Sequence, residues 1–462
     1  MTARDLDPLL ERTAVIAGEW LAGLPERHVG AREDAAAVAE RLRVPLPEAG
    51  EDPMQVVERM ARDLDPGLVA SAGPRYFGFV IGGAVPASLA ADWLTAAWDQ
   101  NAAVHAASPA AAAAEEVAGE WMKELLDIPA EASHGLPTGA GLGNAVGMAA
   151  ARHSLLDRAG WDVEARGLYG APEIEVMIGD EAHATVLTAL QYLGLGRDRV
   201  TRVAVDGQGR MRVDALADAL SGAADRPALV CAQAGNVNSG AFDPLEPIAA
   251  EVRRHPNAWM HVDGAFGLWA AVVPRLRYLV AGSQHADSWA TDAHKWLNVG
   301  YDCGFVAVGN PDAHRAAMAT PASYLMASGT NREGWEWVLD SSRRARGFAL
   351  YAALRSLGRA GVRDLVERCC AMAERMAGAL ASVPGVRILN DVSLNQVLVR
   401  FDDDDHRTRA VIRHVQESGE VWMGGTIWNG LAAMRISVSG WQTTDADIDR
   451  TAAAIVAAMR VT

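Results

Sequence analysis

The chain has 462 residues, too many for one compact core, and half of them are apolar, which suits a protein of two or three lobes with a large buried interior. A formal net charge of −16 excludes a general nucleic-acid or anionic-membrane binder, which needs a basic excess, although a local site can differ in sign from the whole. No run approaches the roughly 20 apolar residues of a membrane span, and the charged, broken N-terminal stretch has no secretory core.

Residues 1–65 read as a helical arm. Apolar side chains recur at helical spacing over 9–24, and prolines over 45–53 break the pattern. The arm has too few apolar residues for a core of its own, so it is expected to pack on another lobe or another subunit. The Ala-rich stretch 106–118 is interrupted by Pro109, Glu115 and Glu116 and reads as a helix face.

Residues 66–345 alternate short apolar strands with helical stretches, the strands falling at 174–178, 200–205, 228–232, 258–262, 288–291 and 305–308. Each runs into a loop rich in Gly, Asp, His or Asn. The alternation predicts an α/β fold, a mostly parallel sheet with helices on both faces, whose ligand crevice lies where the strands end. A long helical pattern over 342–376 links this large domain to a small α+β domain, 346–462. Its strands are predicted at 386–389, 396–401, 421–424 and 433–438, with a closing helix at 446–459. The acidic run Asp402 to Asp405 before His406 reads as a solvated loop, and no metal is expected. Cys231, Cys303, Cys369 and Cys370 show neither ligand spacing nor a disulfide framework, and read as the reduced thiols of a cytoplasmic protein.

Four segments carry chemistry. Leu136-Pro-Thr-Gly-Ala-Gly-Leu-Gly-Asn144 precedes a helical stretch, so its backbone N–H groups and the helix dipole suit an anion, although such a turn is as often structural. Ile178-Gly-Asp-Glu-Ala-His183 presents an imidazole after a strand, where a merely satisfied polar residue is also common. His261-Val-Asp-Gly-Ala-Phe-Gly267 puts Asp263 at the end of a central strand, where it either caps the next turn or meets a buried cation. A pyridinium nitrogen is such a cation: at roughly 4 Å and an effective dielectric of about 20 the attraction is about 4 kcal/mol, or about three pKa units. The fourth, Asp287-Ser-Trp-Ala-Thr-Asp-Ala-His-Lys-Trp296, is the most distinctive. A lysine between His and Trp beyond a strand suits covalent attachment of a carbonyl cofactor.

The ordered set of these four segments resembles the group II amino-acid decarboxylases, enzymes of fold type I that use pyridoxal 5'-phosphate (PLP), over about residues 66–450. The segments QAGNVNSGAFDPL and SRRARG are most similar to an actinobacterial-style branch. The resemblance implies that Lys295 attaches the cofactor, His183 stacks on its ring, Asp263 pairs with the ring nitrogen and Ala265 lies against the other face. Thr138, Gly139, Ala140 and Gly141, with His294, would hold the phosphate. Asn236 stands where many relatives have a Thr near the phenolic oxygen. Gly141 replaces a common hydroxyl residue. The loop 328–340 lacks the Tyr that returns a proton in many members, and Tyr324 lies just upstream. Phe79, Trp98 and His105 are candidates for substrate contact, and Arg435 for the substrate carboxylate; core or ion-pair roles fit these four equally well. The implied reaction converts an L-amino acid to its amine and CO2, with oxidative deamination to an aldehyde, or transamination, as alternatives on the same scaffold. A non-catalytic binding subunit is disfavoured because His183, Asp263 and Lys295 are all retained. A homodimer with sites at the interface, the N-terminal arm packed across it, is implied as well.

Overall fold

The computed structural model describes residues 3–319 and 331–462. Three helices, α1 (Ala3–Gly23), α2 (Ala35–Leu42) and α3 (Pro53–Leu64), open the chain. Asp34 and Asp52 cap α2 and α3 by accepting the N–H of Ala37 and Gln55, yet neither helix buries a residue. The arm is anchored at its end, where Leu24 and Val29 pack with Tyr76. The buried Arg75 guanidinium donates to the carbonyls of Pro25 (2.9 Å) and Arg27 (3.1 Å). Helices α4 (Pro86–Trp98) and α5 (Pro109–Leu125) follow, each with proline in its first turn, where a missing N–H costs nothing.

The large sheet has seven strands: β1 (Ser133–Gly135), β2 (Glu175–Gly179), β3 (Val200–Val203), β4 (Ala228–Gln233), β5 (Ala258–Asp263), β6 (Ser288–Asp292) and β7 (Gly304–Val308), in the order β1-β7-β6-β5-β4-β2-β3. Strands β2 to β6 pair in parallel, and β7 runs antiparallel between β6 and the edge strand β1. Strands β4, β6 and β7 are buried along their whole length, as strands covered on both faces must be. Helix α6 (Ala140–Arg158) packs across β5, β6 and β7. Register aligns Gln233, Asp263 and Ala290, so the residues just past β4, β5 and β6 share one edge. β1 escapes the sequence pattern because Ser-His-Gly has no apolar alternation.

A second, antiparallel sheet orders β8 (Val386–Ile388), β9 (Gln396–Phe401), β10 (Gly424–Trp428) and β11 (Leu431–Ser437) as β10-β11-β9-β8. β10 starts three residues later than the beginning of the predicted 421–424, because Trp422 pairs with Tyr76 instead; the left-handed pair Asn429-Gly430, at φ 49° and 77°, closes its two-residue hairpin with β11. The helical run Gly347–Ala381, broken at Gly358 (φ 60°), likewise begins later than 342. Before it, Arg343, Arg344 and Arg346 are drawn into ion pairs with Glu115, Asp92 and Asp302. One apolar core runs beneath both sheets, from Met260 and Phe305 to Val399 and Ile436. No described helix is long and apolar enough to cross a membrane.

Candidate active site

The chain leaves β1 through the Gly-rich turn and enters α6 at Gly139, its N-cap. The first residue of β7 lies against this turn: a Cβ on Gly304 would sit 2.5 Å from Gly139 Cα, so only glycine fits the crossing. At the helix N-terminus, where exposed N–H groups favour negative charge, Ala140 N donates to Asp292 Oδ1 at 2.6 Å. The other oxygen of Asp292 lies 3.0 Å from Lys295 Nζ, and His294 Nε2 is 3.4 Å from Oδ1. His294 Nδ1 accepts from Cys303 N at 3.1 Å, and the ring stacks on Tyr301 at 4.3 Å. The neutral His294 ring therefore carries its proton on Nε2, facing the carboxylate. Burial lowers its pKa, with Asp292 opposing.

Asp263 closes β5 and is 4% exposed. Its Oδ1 accepts from Ala265 N at 3.3 Å. Burial pulls the carboxyl upward, while His183, Lys295, the Asn144 amide and the Ala265 N–H favour the ionised form. His183 caps the helix Ala184–Tyr192. Its Nδ1 accepts from Thr185 N (3.3 Å) and lies 2.8 Å from Thr185 Oγ1, which leaves Nε2 as the protonated nitrogen. Burial lowers the His183 pKa, and Asp263 opposes.

These groups surround one cavity of about 180 Å³, lined by Gly139, Ala140, Gly141, His183, Asp263, Ala265, His294 and Lys295. It offers a helix N-terminus with two basic side chains for an anion, a buried carboxylate for a protonated heterocyclic nitrogen, and a primary amine for covalent attachment. The residues fit pyridoxal 5'-phosphate.

Other residues singled out in the sequence lie elsewhere. Thr138 precedes the cavity lining, and Asn236 is also outside it. The Asn236 amide is committed to its own loop: Nδ2 donates to Glu181 O (3.1 Å) and Gln233 Oε1 (3.3 Å), and Oδ1 accepts from Asn238 N and Ser239 N. Phe79, 57% exposed, lies against Trp422. Trp98 lines a separate surface groove with Leu94, Phe348 and Tyr351. His105 is tied through its backbone N–H to Glu333. The Arg435 side chain, on β11, makes no hydrogen bond or ion pair among the described residues; burial lowers its pKa, and its charge reaches His183. Tyr324 and the first part of the loop 328–340 lie outside the described residues.

The cavity also holds residues that the sequence reading passed over. Asp292 stands three residues before Lys295, a spacing that signals a shared turn. Thr185, two residues past His183, comes close to the position where Gly141 lacks a side chain: a Cβ there would meet Thr185 Cγ2 at 3.5 Å.

Comparison with known proteins agrees with this geometry. Residues 37–402 match the family model described as the pyridoxal-dependent decarboxylase conserved domain. The acidic amino acid decarboxylase GADL1 of Homo sapiens is 27% identical over 391 residues, covering 82% of this chain and 72% of the relative. Among solved structures, Oryza sativa TDC with PLP and tryptamine superposes with a TM-score of 0.93 at 21% identity, covering 100% of this chain and 99% of that one. Rhodiola rosea 4-hydroxyphenylacetaldehyde synthase gives a TM-score of 0.89 at 20% identity, again covering 100% and 99%.

Proposed function

The chain belongs to the pyridoxal-dependent decarboxylase family, and we propose that Lys295, Asp263 and His183 carry its reaction, the decarboxylation of an L-amino acid to its amine and CO2. The observation behind this assignment is that the three side chains line one cavity with the N-terminus of α6. When bound, pyridoxal 5'-phosphate supplies the electron sink for the charge left on Cα as CO2 departs. Lys295, whose amine lines the cavity, would hold the cofactor covalently. Asp263, ionised and buried, holds a proton at the ring nitrogen. His183, its Nδ1 engaged by Thr185, would lie against the ring and present its Nε2–H. The Gly141 amide and the His294 ring would hold the phosphate at the start of α6, where the Ala140 N–H is already given to Asp292 Oδ1. Arg435, a cation without a partner among the described residues, receives the substrate carboxylate.

The product is the amine, with one alternative supported by the absence of Tyr from 328–340: O2 capture, giving aldehyde, ammonia and peroxide; one structural neighbour is by name an aldehyde synthase. A screen of the common amino acids, reading CO2, amine, aldehyde and peroxide with and without O2, decides between them. Amine equal to CO2 without O2 supports decarboxylation. Aldehyde and peroxide equal to CO2 would replace it with the oxidative route.

The enzyme acts as a homodimer with its sites at the interface. Supporting this, α1 leaves Leu10 54% exposed, α3 leaves Met60 50% exposed, and an apolar groove of about 840 Å³ is lined by Leu94, Trp98, Phe348 and Tyr351. A cytoplasmic location fits the four buried, unpaired cysteines.

A further inference from the structure

Outside the residues that line the cavity, four buried side chains form a chain of polar contacts that the chemistry above does not use. Trp259 Nε1 donates to Ser288 Oγ at 2.9 Å, and Ser288 Oγ lies 2.8 Å from His261 Nδ1. His261 Nε2 lies 3.0 Å from Asn144 Oδ1. Trp259 is 2% exposed, and Ser288, His261 and Asn144 are each 0%. Asn144 Nδ2 completes no hydrogen bond with any other group among the described residues, and its amide favours the ionised form of the Asp263 carboxylate.

The donors in this chain run one way. An indole N–H can only donate, so Ser288 Oγ accepts from Trp259 and its single proton is left for His261 Nδ1. That makes Nδ1 the acceptor nitrogen and puts the imidazole proton on Nε2, which donates to Asn144 Oδ1. The far end suits the same orientation: a carboxylate only accepts, so Asp263 is served when Asn144 presents its NH2 rather than its oxygen. The fold makes room for this arrangement inside a helix. Gly147 stands in the middle of α6, and a Cβ there would sit 2.8 Å from His261 Cε1 and 3.2 Å from Ser288 Oγ. Glycine is a poor helix-interior residue, and here the position seats the ring.

We propose that His261 is a positioning residue for the reaction: fixed in its Nε2–H form by Trp259 and Ser288, it holds the Asn144 amide with its N–H toward Asp263, and so keeps Asp263 aimed at the cofactor's ring nitrogen. This rests on the reading of Asp263 given above. Without the His261 donor the amide is free to rotate, and its oxygen then faces a carboxylate. A donor to a charged acceptor in a dry site matters by about ten- to a hundredfold.

The test has two parts. In the unloaded protein labelled with 15N-histidine, the signal lost in His261→Leu should report a neutral Nε2–H ring across the neutral pH range. Trp259→Phe, which keeps the packing, should give mixed tautomers, because Ser288 is released. A predominantly Nδ1–H ring in the wild type, or a tautomer indifferent to Trp259→Phe, overturns the proposal. In the loaded enzyme, Asn144→Leu and His261→Leu should each raise the cofactor dissociation constant about tenfold or more and move the pH midpoint of the visible absorbance in the same direction. The double variant should be no worse than either single one, and both effects should vanish in Asp263→Asn. Additive effects, or effects that persist in Asp263→Asn, would show a merely structural role and overturn the proposal. A wild type that binds no pyridoxal phosphate would instead overturn the reading of the site, and the proposal with it.

Discussion

Lys295 Nζ lies 3.0 Å from Asp292 Oδ2, while the other oxygen of that carboxylate takes the Ala140 N–H at 2.6 Å. Asp292 therefore sits at the start of α6 among the groups that would attract a phosphate. At about 5 Å and an effective dielectric of about 20, a carboxylate beside a phosphate charge costs at most about 3 kcal/mol. Asp292→Asn is expected to bind pyridoxal phosphate, and inorganic phosphate alone, about tenfold more tightly in equilibrium dialysis. Weaker binding would mean that the carboxylate's hold on Lys295 outweighs the repulsion.

The attachment site is tested directly by borohydride reduction of the loaded enzyme and peptide mapping. The pyridoxyl group should be found on Lys295, and Lys295→Ala should lose the label and turnover by at least about a hundredfold. A label on another lysine ends this assignment.

Asp263→Ala should retain some cofactor yet lose turnover by about a thousandfold, because about three pKa units of support for the protonated ring nitrogen disappear. Asp263→Glu should recover part of it. Near-normal kcat in Asp263→Ala would remove this residue from the mechanism.

Deleting residues 1–40 should weaken association and activity together. Helix α2 buries no residue in the single chain, and Leu10 and Val15 of α1 remain exposed. Light scattering across a dilution series reads the association. A fully active truncated monomer would refute the dimer.

His314 is a reporter of acid sensitivity. Its Nε2 donates to Trp337 O at 3.0 Å, its Nδ1 lies 2.8 Å from Ser133 Oγ, and burial pushes its pKa down to about 3. Between that value and the ordinary one of about 6.5, the unfolded chain binds a proton that the folded chain does not. Stability is thus complete above the ordinary value and is lost as pH falls toward 3. Relative to His314→Asn, the wild type should lose up to about 1.4 kcal/mol more per pH unit between 6 and 4, read from urea midpoints of the unloaded protein. Asp243, pushed up to about 6, acts in the opposite direction and cancels in this difference. Parallel pH profiles would contradict the assignment.

The parallel strands were legible because full burial leaves continuous apolar runs, such as 228–232, between polar loops. The chemistry was legible where one residue type admits few roles, as with Lys295 beside His294. Positions whose meaning depends on a distant partner were not. Asn144 and Ser288 look like ordinary small polar residues until β5 and β6 bring His261 between them. Asn236 was judged by its place in a pattern, whereas its amide is engaged by the turn it sits in. The surface aromatics Phe79 and Trp98 carry no periodic signal that separates a substrate contact from a subunit contact.

The pairing of β1 with β7 also bears on synthesis. Ser133 and Val308 are 175 residues apart in the chain, yet the Gly-rich turn after β1 is fixed by Gly304 of β7. At about 5–20 residues per second, translation takes roughly ten to thirty seconds to pass from one to the other. During that interval β1 has no neighbour and the turn that begins α6 has no backstop. Cofactor capture thus belongs to a late stage of biogenesis. A nascent chain released before β7 emerges would hold the residues for anion binding without the strand that brings them into position.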